Sequence, residues 1–426
     1  MVVPASMVMG GPVSFVRRHA ATTGADVLRD VTQAEEHVAG ICFKTGPPRR
    51  VGVELEFTAH LSGDPDAYLD VRSLREALGV HAPPSLQSAD PPVPLPAGGM
   101  VTVEPGGQIE ISSAPADSLA GLHAAVTTDL MHLTELLAAA GLVLGEHGLD
   151  PHRAPRRLLD SPRYAAMERT FDRRGRCGRI MMGSTAGLQV CLDAGTEDQL
   201  ADRFATVSAL GPVLTAVFAN SRWHAGRDTG WASGRMGVWL GMDPRRTGPL
   251  APAPDPAAGW AGYALAAPLL CVRRDGPHWD PPPAVTFADW IAGALPQPPT
   301  VDDLDYHLST LFPPVRPRGY LEIRYLDAQP GGEWIAPAAV LASLLADGTT
   351  TAAVRALAEP VADRWRVAAR SGLADPLLRA VAADILDESL RGMDRTGLPP
   401  ATRDRVAEIV DERLHRPTER GRGMHR

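Results

Sequence analysis

Glu54 and Glu56 stand two residues apart in Val51-Gly52-Val53-Glu54-Leu55-Glu56, so on an extended strand both carboxylates leave the same face. The same alternation returns in Gln108-Ile109-Glu110-Ile111-Ser112, in Gln189, Cys191 and Asp193 between Leu188, Val190 and Leu192, and in Glu322 and Arg324 between Leu321, Ile323 and Tyr325. If these segments pair, one surface carries Glu54, Glu56, Glu104, Glu110 and Glu322 while the apolar side faces helices. Any one pair also fits a solvated strand face. Five convergent carboxylates repel one another, which makes sense where cations sit among them. Carboxylates with open positions suit Mg²⁺, a hard cation that keeps water or phosphate in its other sites, and such clusters usually handle phosphoryl groups. From the residues alone, a divalent-cation-binding protein without turnover and a metal-free hydrolase with paired carboxylates stay open.

Arginines supply the complementary charge. Arg227 and Arg235 lie in the Trp- and Gly-rich run from Trp223 to Trp239, and Arg316 and Arg318 precede the Glu322 strand. A guanidinium fork binds carboxylate or phosphate in a bidentate way. Lysine is nearly missing: Lys44 alone accounts for one of the 42 Lys and Arg residues. A P-loop ATPase, a protein kinase or a pyridoxal enzyme would have to use Lys44, whose surroundings, Phe43-Lys44-Thr45-Gly46-Pro47, fit none of them. The net charge of −8 and the lack of a basic block argue against nucleic acid as a partner. The four cysteines are far apart, without zinc-ligand spacing. With no apolar run long enough for a membrane span and no secretory leader pattern, the expected compartment is the cytoplasm. The oligomeric state stays open.

The elements that must position these groups read as separated strands with helices between them, followed by an all-helical C-terminal portion. Residues 1–13 read as a disordered lead and Ala25 to Val38 as a helix. Strands are expected at Arg50 to Leu61, in two pieces around Pro105-Gly106-Gly107, at Ile180 to Leu192 and at Gly319 to Leu326. Ser118 to Ala140 has the strongest helical stripe, with Ser118 or Asp117 as cap and Gly141 as stop. Asp198 to Asn220 is expected as a helix bent at Pro212, Ala82 to Gly99 and Asp243 to Pro283 as Pro-rich excursions, and four helices follow Pro337. The fold class is α+β with an antiparallel sheet, residues 14–335 forming the catalytic part and 336–426 the helical portion packed on it.

The blocks Val51 to Glu56, Thr102-Val103-Glu104-Pro105-Gly106-Gly107-Gln108-Ile109-Glu110-Ile111-Ser112, Met181 to Val190, Asn220 to Gly248, and His307 to Pro313 followed by Tyr320 to Arg324 occur in this order. They resemble the glutamate-cysteine ligases of the plant and bacterial type, and most of all the branch that supplies γ-glutamylcysteine to ergothioneine synthesis. The resemblance implies a glutamine-synthetase-like fold, a curved antiparallel sheet forming a funnel. It implies ATP-dependent phosphorylation of the side-chain carboxylate of L-glutamate and displacement of phosphate by the amine of L-cysteine. Glu54, Glu56, Glu104, Glu110 and Glu322 match the motif carboxylates that would hold Mg²⁺, and Arg235 and Arg324 match arginines that contact glutamate or the transferring phosphoryl group. Arg316, Ser184, Thr185 and Gln189 are expected on the substrate and ATP side. Two positions depart from glutathione-making members, which usually carry Arg where this chain has Ser184 and Asn where it has Cys191. A ligase of the same fold with another amine acceptor is the alternative.

Overall fold

The structure, a computed structural model, describes residues 27–251 and 253–416; the expected lead at 1–13 lies outside them. Six strands form the central sheet: β1 (Val51–Phe57), β2 (Met100–Val103), β3 (Ile109–Ser112), β4 (Gly187–Leu192), β5 (Val315–Pro317) and β6 (Leu321–Asp327). Their order is β2-β3-β1-β4-β6-β5 with every neighbouring pair antiparallel, so the α+β expectation is borne out. Alternation makes one side of this sheet apolar. Val53, Leu55, Ile109, Ile111, Leu188, Val190, Leu321 and Ile323 are buried in one core cluster, against which the Leu119–Ala139 helix sets Leu122, Val126, Leu133 and Leu137. Ser118 caps that helix by accepting from the Gly121 amide.

Helices after Pro330 belong to the same core: Val340, Ile385 and Val406 share the cluster with the strands. A second, smaller cluster joins Val38 of the Val31–Cys42 helix to Trp260, Ala264, Phe287, Leu304 and Leu311. Among the described residues no single helix is long and apolar enough to cross a membrane.

Several expectations are corrected. The first helix begins at Val31, because the Asp30 side chain accepts from the Gln33 amide and ends the extended segment there. The strand expected over Arg50 to Leu61 breaks at Thr58, and Ala59–Leu61 pairs with Leu142–Leu144 in a separate ribbon. Ile180 to Ser184 is the end of a helix, Cys177–Ser184, that buries Gly178, Met181, Met182 and Ser184; so short an apolar run reads equally as strand or helix. The Pro-rich excursion holds a helix, Pro256–Ala266, with Asp255 as cap and Pro256 in its first turn, where a missing amide costs nothing. The helix carrying Pro212 is two helices, Glu197–Ala209 and Gly211–Val217, meeting at 42°. One of the four helices expected after Pro337, read over Ala352 to Ser371, is divided into Gly348–Ala358 and Trp365–Ser371, with Pro360 between them. Val315–Pro317 is an edge strand, the one place in a sheet that tolerates proline.

His307, a polar residue of the last motif block, is structural. It is buried beside Phe287, with Nε2 at 2.8 Å from the Ala264 carbonyl, and burial together with the Arg246 charge pushes its imidazole down to about 3 from the ordinary 6.5. The folded protein holds the ring neutral while the unfolded chain protonates near 6.5, so this contribution is complete above that pH and is lost as pH falls toward 3. Urea unfolding is expected to lose about 1.4 kcal/mol per pH unit from this group between pH 6 and pH 4, and His307→Gln should remove that part of the slope. An identical slope in the variant would show that the ring does not govern it.

Candidate active site

Residues directly opposed in an antiparallel ladder point to the same side, so the register defines the polar face. Thr102 opposes Glu110, Glu110 opposes Glu56, and Glu54 lies between Ser112 and Gln189. Cys191 lies between Gly52 and Glu322, and Glu322 opposes Arg316. Four sheet carboxylates thus share one face although Glu110 and Glu322 are far apart in sequence. Glu104 follows β2 in the turn to β3. There Gly107, at φ 91°, donates to the Glu104 carbonyl, and the Gln108 side chain accepts from the Gly106 amide and donates to the Thr185 carbonyl.

The face is electrostatically uneven. On the β2-β3-β1 side, burial followed by the neighbouring carboxylate charges pushes Glu54 and Glu104 up to about 7 and Glu110 well above the usual range. The hydrogen bonds on this side come from neutral donors: Thr102 and Ser112 hydroxyls to Glu110 at 2.8 and 3.0 Å, and the Gly187 amide and Gln189 Nε2 to Glu56 at 2.6 and 3.0 Å. On the β6-β5 side Glu322 is fully enclosed, and its oxygens accept from Arg316 at 2.6 and 3.1 Å, Arg318 at 3.1 Å and Arg324 at 2.8 Å. Burial alone would raise Glu322, but the three guanidinium charges outweigh it and hold the carboxylate far below the usual range.

The sequence-expected metal ligands therefore separate into two groups. Glu54, Glu56, Glu104 and Glu110 lie along the uncompensated half, whereas both oxygens of Glu322 are engaged by arginine. Among the described residues no three His, Cys, Asp or Glu side chains converge at metal-holding distance. The donors on this half are oxygens alone, half-buried at Glu54, Glu56 and Glu104, a set that suits a hard divalent cation sharing its remaining positions with phosphate and does not suit zinc.

Arg235 and Arg324 meet over Trp239, their guanidinium carbons 5.7 and 5.8 Å from its ring. Arg324 also bonds Gln189 Oε1. Arg235 is 1% exposed, donates to the Arg324 carbonyl at 2.9 Å, leaves Nε without a partner, and has no carboxylate at ion-pair distance among the described residues. It packs so tightly on β4 that a Cβ at Gly187 would collide with its guanidinium. A buried, unpaired guanidinium is an unusually strong attractor for an anion. Arg227, by contrast, is exposed on a two-residue ribbon strand.

Two expected substrate-side residues are held elsewhere. Ser184 is fully buried with an unpartnered hydroxyl, and the Thr185 hydroxyl donates to the Met181 carbonyl at 2.6 Å at the end of its own helix. Sequence reasoning misses Trp239 and Asp327, and names Arg318 as a complementary charge without placing it on Glu322. Trp239 is four residues beyond Arg235, one helical turn, and so has a legible signal; Asp327 has none. A cavity of about 550 Å³ opens elsewhere, lined among others by His123, Glu333 and Arg405.

Comparison with known proteins gives a consistent result. The chain matches the glutamate-cysteine ligase family 2 over residues 50–423 and belongs to that family. It is 42% identical over 366 residues to the glutamate-cysteine ligase EgtA of Mycobacterium tuberculosis (strain ATCC 25618 / H37Rv), covering 83% of this chain and 82% of the relative. The EgtA of Mycolicibacterium smegmatis is 40% identical over 84% of this chain and 85% of its own. The chloroplastic glutamate-cysteine ligase of Medicago truncatula is 32% identical over 73% and 65%. Among solved structures, a Francisella tularensis glutamate-cysteine ligase in complex with AMP superposes with a TM-score of 0.48 at 15% identity, covering 88% of this chain and 83% of that one.

Removing the Glu322 charge should leave three mutually repelling arginines, one buried and two half-buried, around an uncharged group, so Glu322→Gln is expected to cost about 3–5 kcal/mol in urea unfolding. A loss below about 1 kcal/mol would mean that the clamp does not hold this side of the sheet together.

Proposed function

We propose that this chain joins the side-chain carboxylate of L-glutamate to the amine of L-cysteine, converting ATP to ADP and phosphate and releasing γ-glutamylcysteine, and that the product feeds ergothioneine synthesis in the cytoplasm. The observation that carries the reading is the single sheet face on which Glu54, Glu56 and Glu110, with Glu104 in the adjoining turn, have no arginine partner among the described residues and stand beside Arg235 and Arg324, in a chain of the glutamate-cysteine ligase family. The greater identity to the EgtA relatives than to the chloroplastic one supports the pathway. Four unpaired cysteines support a reducing compartment.

In the proposed reaction a glutamate side-chain oxygen attacks the γ-phosphorus of ATP and ADP departs; the cysteine amine then attacks the acyl carbon of γ-glutamyl phosphate, phosphate leaves and a proton is lost. Glu54, Glu56, Glu104 and Glu110 would hold Mg²⁺, which supplies neutralisation of the phosphate charge. Arg324 lies at the border between the carboxylate half and the Glu322 clamp, suited to an oxygen of the transferring phosphoryl group. Arg235, enclosed and without a counter-charge, suits the α-carboxylate of glutamate. No enzyme nucleophile is required, in keeping with the buried, protonated state of Cys191, whose thiol burial pushes well up.

Mass spectrometry after incubation with ATP, Mg²⁺, glutamate and cysteine is expected to find γ-glutamylcysteine with stoichiometric ADP. ADP formation with another amine in a panel and none with cysteine would assign a different acceptor; no ADP with any would leave a cation-binding protein without turnover. Glu54→Gln keeps the shape and removes one charge, so turnover should fall about 100-fold or more with the fold intact. An active variant with unchanged Mg²⁺ dependence would remove Glu54 from the metal site. Arg235→Ala should cost about 2–5 kcal/mol in kcat/KM for glutamate, and Ser184→Ala at most about 1 kcal/mol. The reverse order would move glutamate recognition to the Ser184 end of β4.

A further inference from the structure

Asp327 is a buried carboxylate outside the face described above, at the far end of β6 and three residues beyond Arg324. It accepts from the Asn220 amide at 2.8 Å and the Ser221 hydroxyl at 2.7 Å on Oδ2, and from the Ser233 hydroxyl at 2.9 Å on Oδ1. Those two serines hold the first turn of the Gly234–Leu240 helix: Ser221 Oγ accepts from the Arg235 amide at 3.0 Å, and Ser233 Oγ from the Met236 amide at 3.1 Å. One carboxylate therefore orients both hydroxyls, and both hydroxyls orient the turn that carries Arg235. The arrangement leaves no slack, since a Cβ on Gly148 would lie 2.8 Å from Asp327 Cβ and 3.1 Å from Ser221 Cβ.

We propose that Asp327 is a positioning residue for glutamate recognition, acting through the Ser221 and Ser233 hydroxyls to set the buried guanidinium of Arg235 between Gly187 and Trp239. The proposal rests on the reading of Arg235 as the group that receives a glutamate carboxylate. With no carboxylate partner, the guanidinium is held only by the Arg324 carbonyl and the Trp239 face, so the helix turn must set where it starts, and that turn is placed by Asp327. Asp327 and Glu56 are also the carboxylates whose fields favour the charged form of Arg235 against its burial. The network thus serves orientation and charge together, before substrate arrives.

The test is steady-state kinetics on Asp327→Asn, Arg235→Lys, the double variant and Ser221→Ala, with thermal unfolding of each. Asp327→Asn keeps the volume but removes the charge and turns one acceptor into a donor. It is expected to raise KM for glutamate about tenfold, with KM for ATP and kcat at saturating glutamate within about threefold of the parent. Arg235→Lys should raise the same KM by at least as much, and the double variant should be no worse than Arg235→Lys alone, because the first change acts through the second. Ser221→Ala should move KM in the same direction by a smaller factor, and it decides the same question if Asp327→Asn does not fold. If Arg235→Lys raises KM for glutamate while Asp327→Asn and Ser221→Ala leave it unchanged, the positioning role is overturned and the reading of Arg235 stands. If Arg235→Lys leaves that KM unchanged, the reading itself fails and the proposal with it. A fall in kcat that tracks lost thermal stability, with no selective change in KM for glutamate, would make Asp327 merely structural and overturn the proposal.

Discussion

Like charges held on one face of a sheet oppose the fold that holds them, and the rest of this structure follows from how that opposition is met. On the β5-β6 side the protein meets it alone: three arginines surround Glu322 and draw its carboxylate far below the ordinary range. On the β1, β2 and β3 side the protein supplies only hydroxyls, amides and one glutamine as hydrogen-bond donors, and burial with neighbouring carboxylate charges, Glu322 for Glu54 among them, drives Glu54, Glu104 and Glu110 the other way. The first half is finished in the absence of ligand. The second has no cationic side chain at ion-pair distance among the described residues, the ground on which it is proposed as the metal site.

Position across the sheet turns that contrast into an axis. Arg324 lies at the border, bonded to Glu322 of the compensated half and to Gln189, whose amide in turn donates to Glu56 of the other half. Beside it Trp239 receives both Arg324 and Arg235, and the Arg235 guanidinium also donates to the Arg324 carbonyl.

Much of this is legible in the residues. Period-two alternation in four separate segments names the polar face and its carboxylates, because in an antiparallel sheet a side-chain parity set within one strand is carried across the ladder. What fails does so for local reasons. The Cys177–Ser184 helix carries too few apolar residues to show a period, so Ser184 and Thr185 read as part of a strand beside the substrate and instead close a helix end. Proline misleads twice, hiding the Pro256–Ala266 helix and the Val315–Pro317 edge strand, since it breaks an element in its interior but begins or borders one comfortably. The fate of Glu322 is not readable either: its strand parity matches that of the other carboxylates, and only the partner strand brings Arg316 directly opposite. Asp327 announces itself by no motif, because its role comes from three donors contributed by a segment more than ninety positions earlier in the chain.

The central claim is that this face transfers the γ-phosphoryl group of ATP to the side-chain carboxylate of glutamate before any amide bond forms. Isotope transfer reads that step without reference to any variant. With glutamate carrying ¹⁸O in its side-chain carboxylate, together with unlabelled ATP, Mg²⁺ and cysteine, the account predicts that the inorganic phosphate released in each turnover contains one ¹⁸O atom taken from glutamate. Phosphate released without label, while γ-glutamylcysteine accumulates, would contradict it.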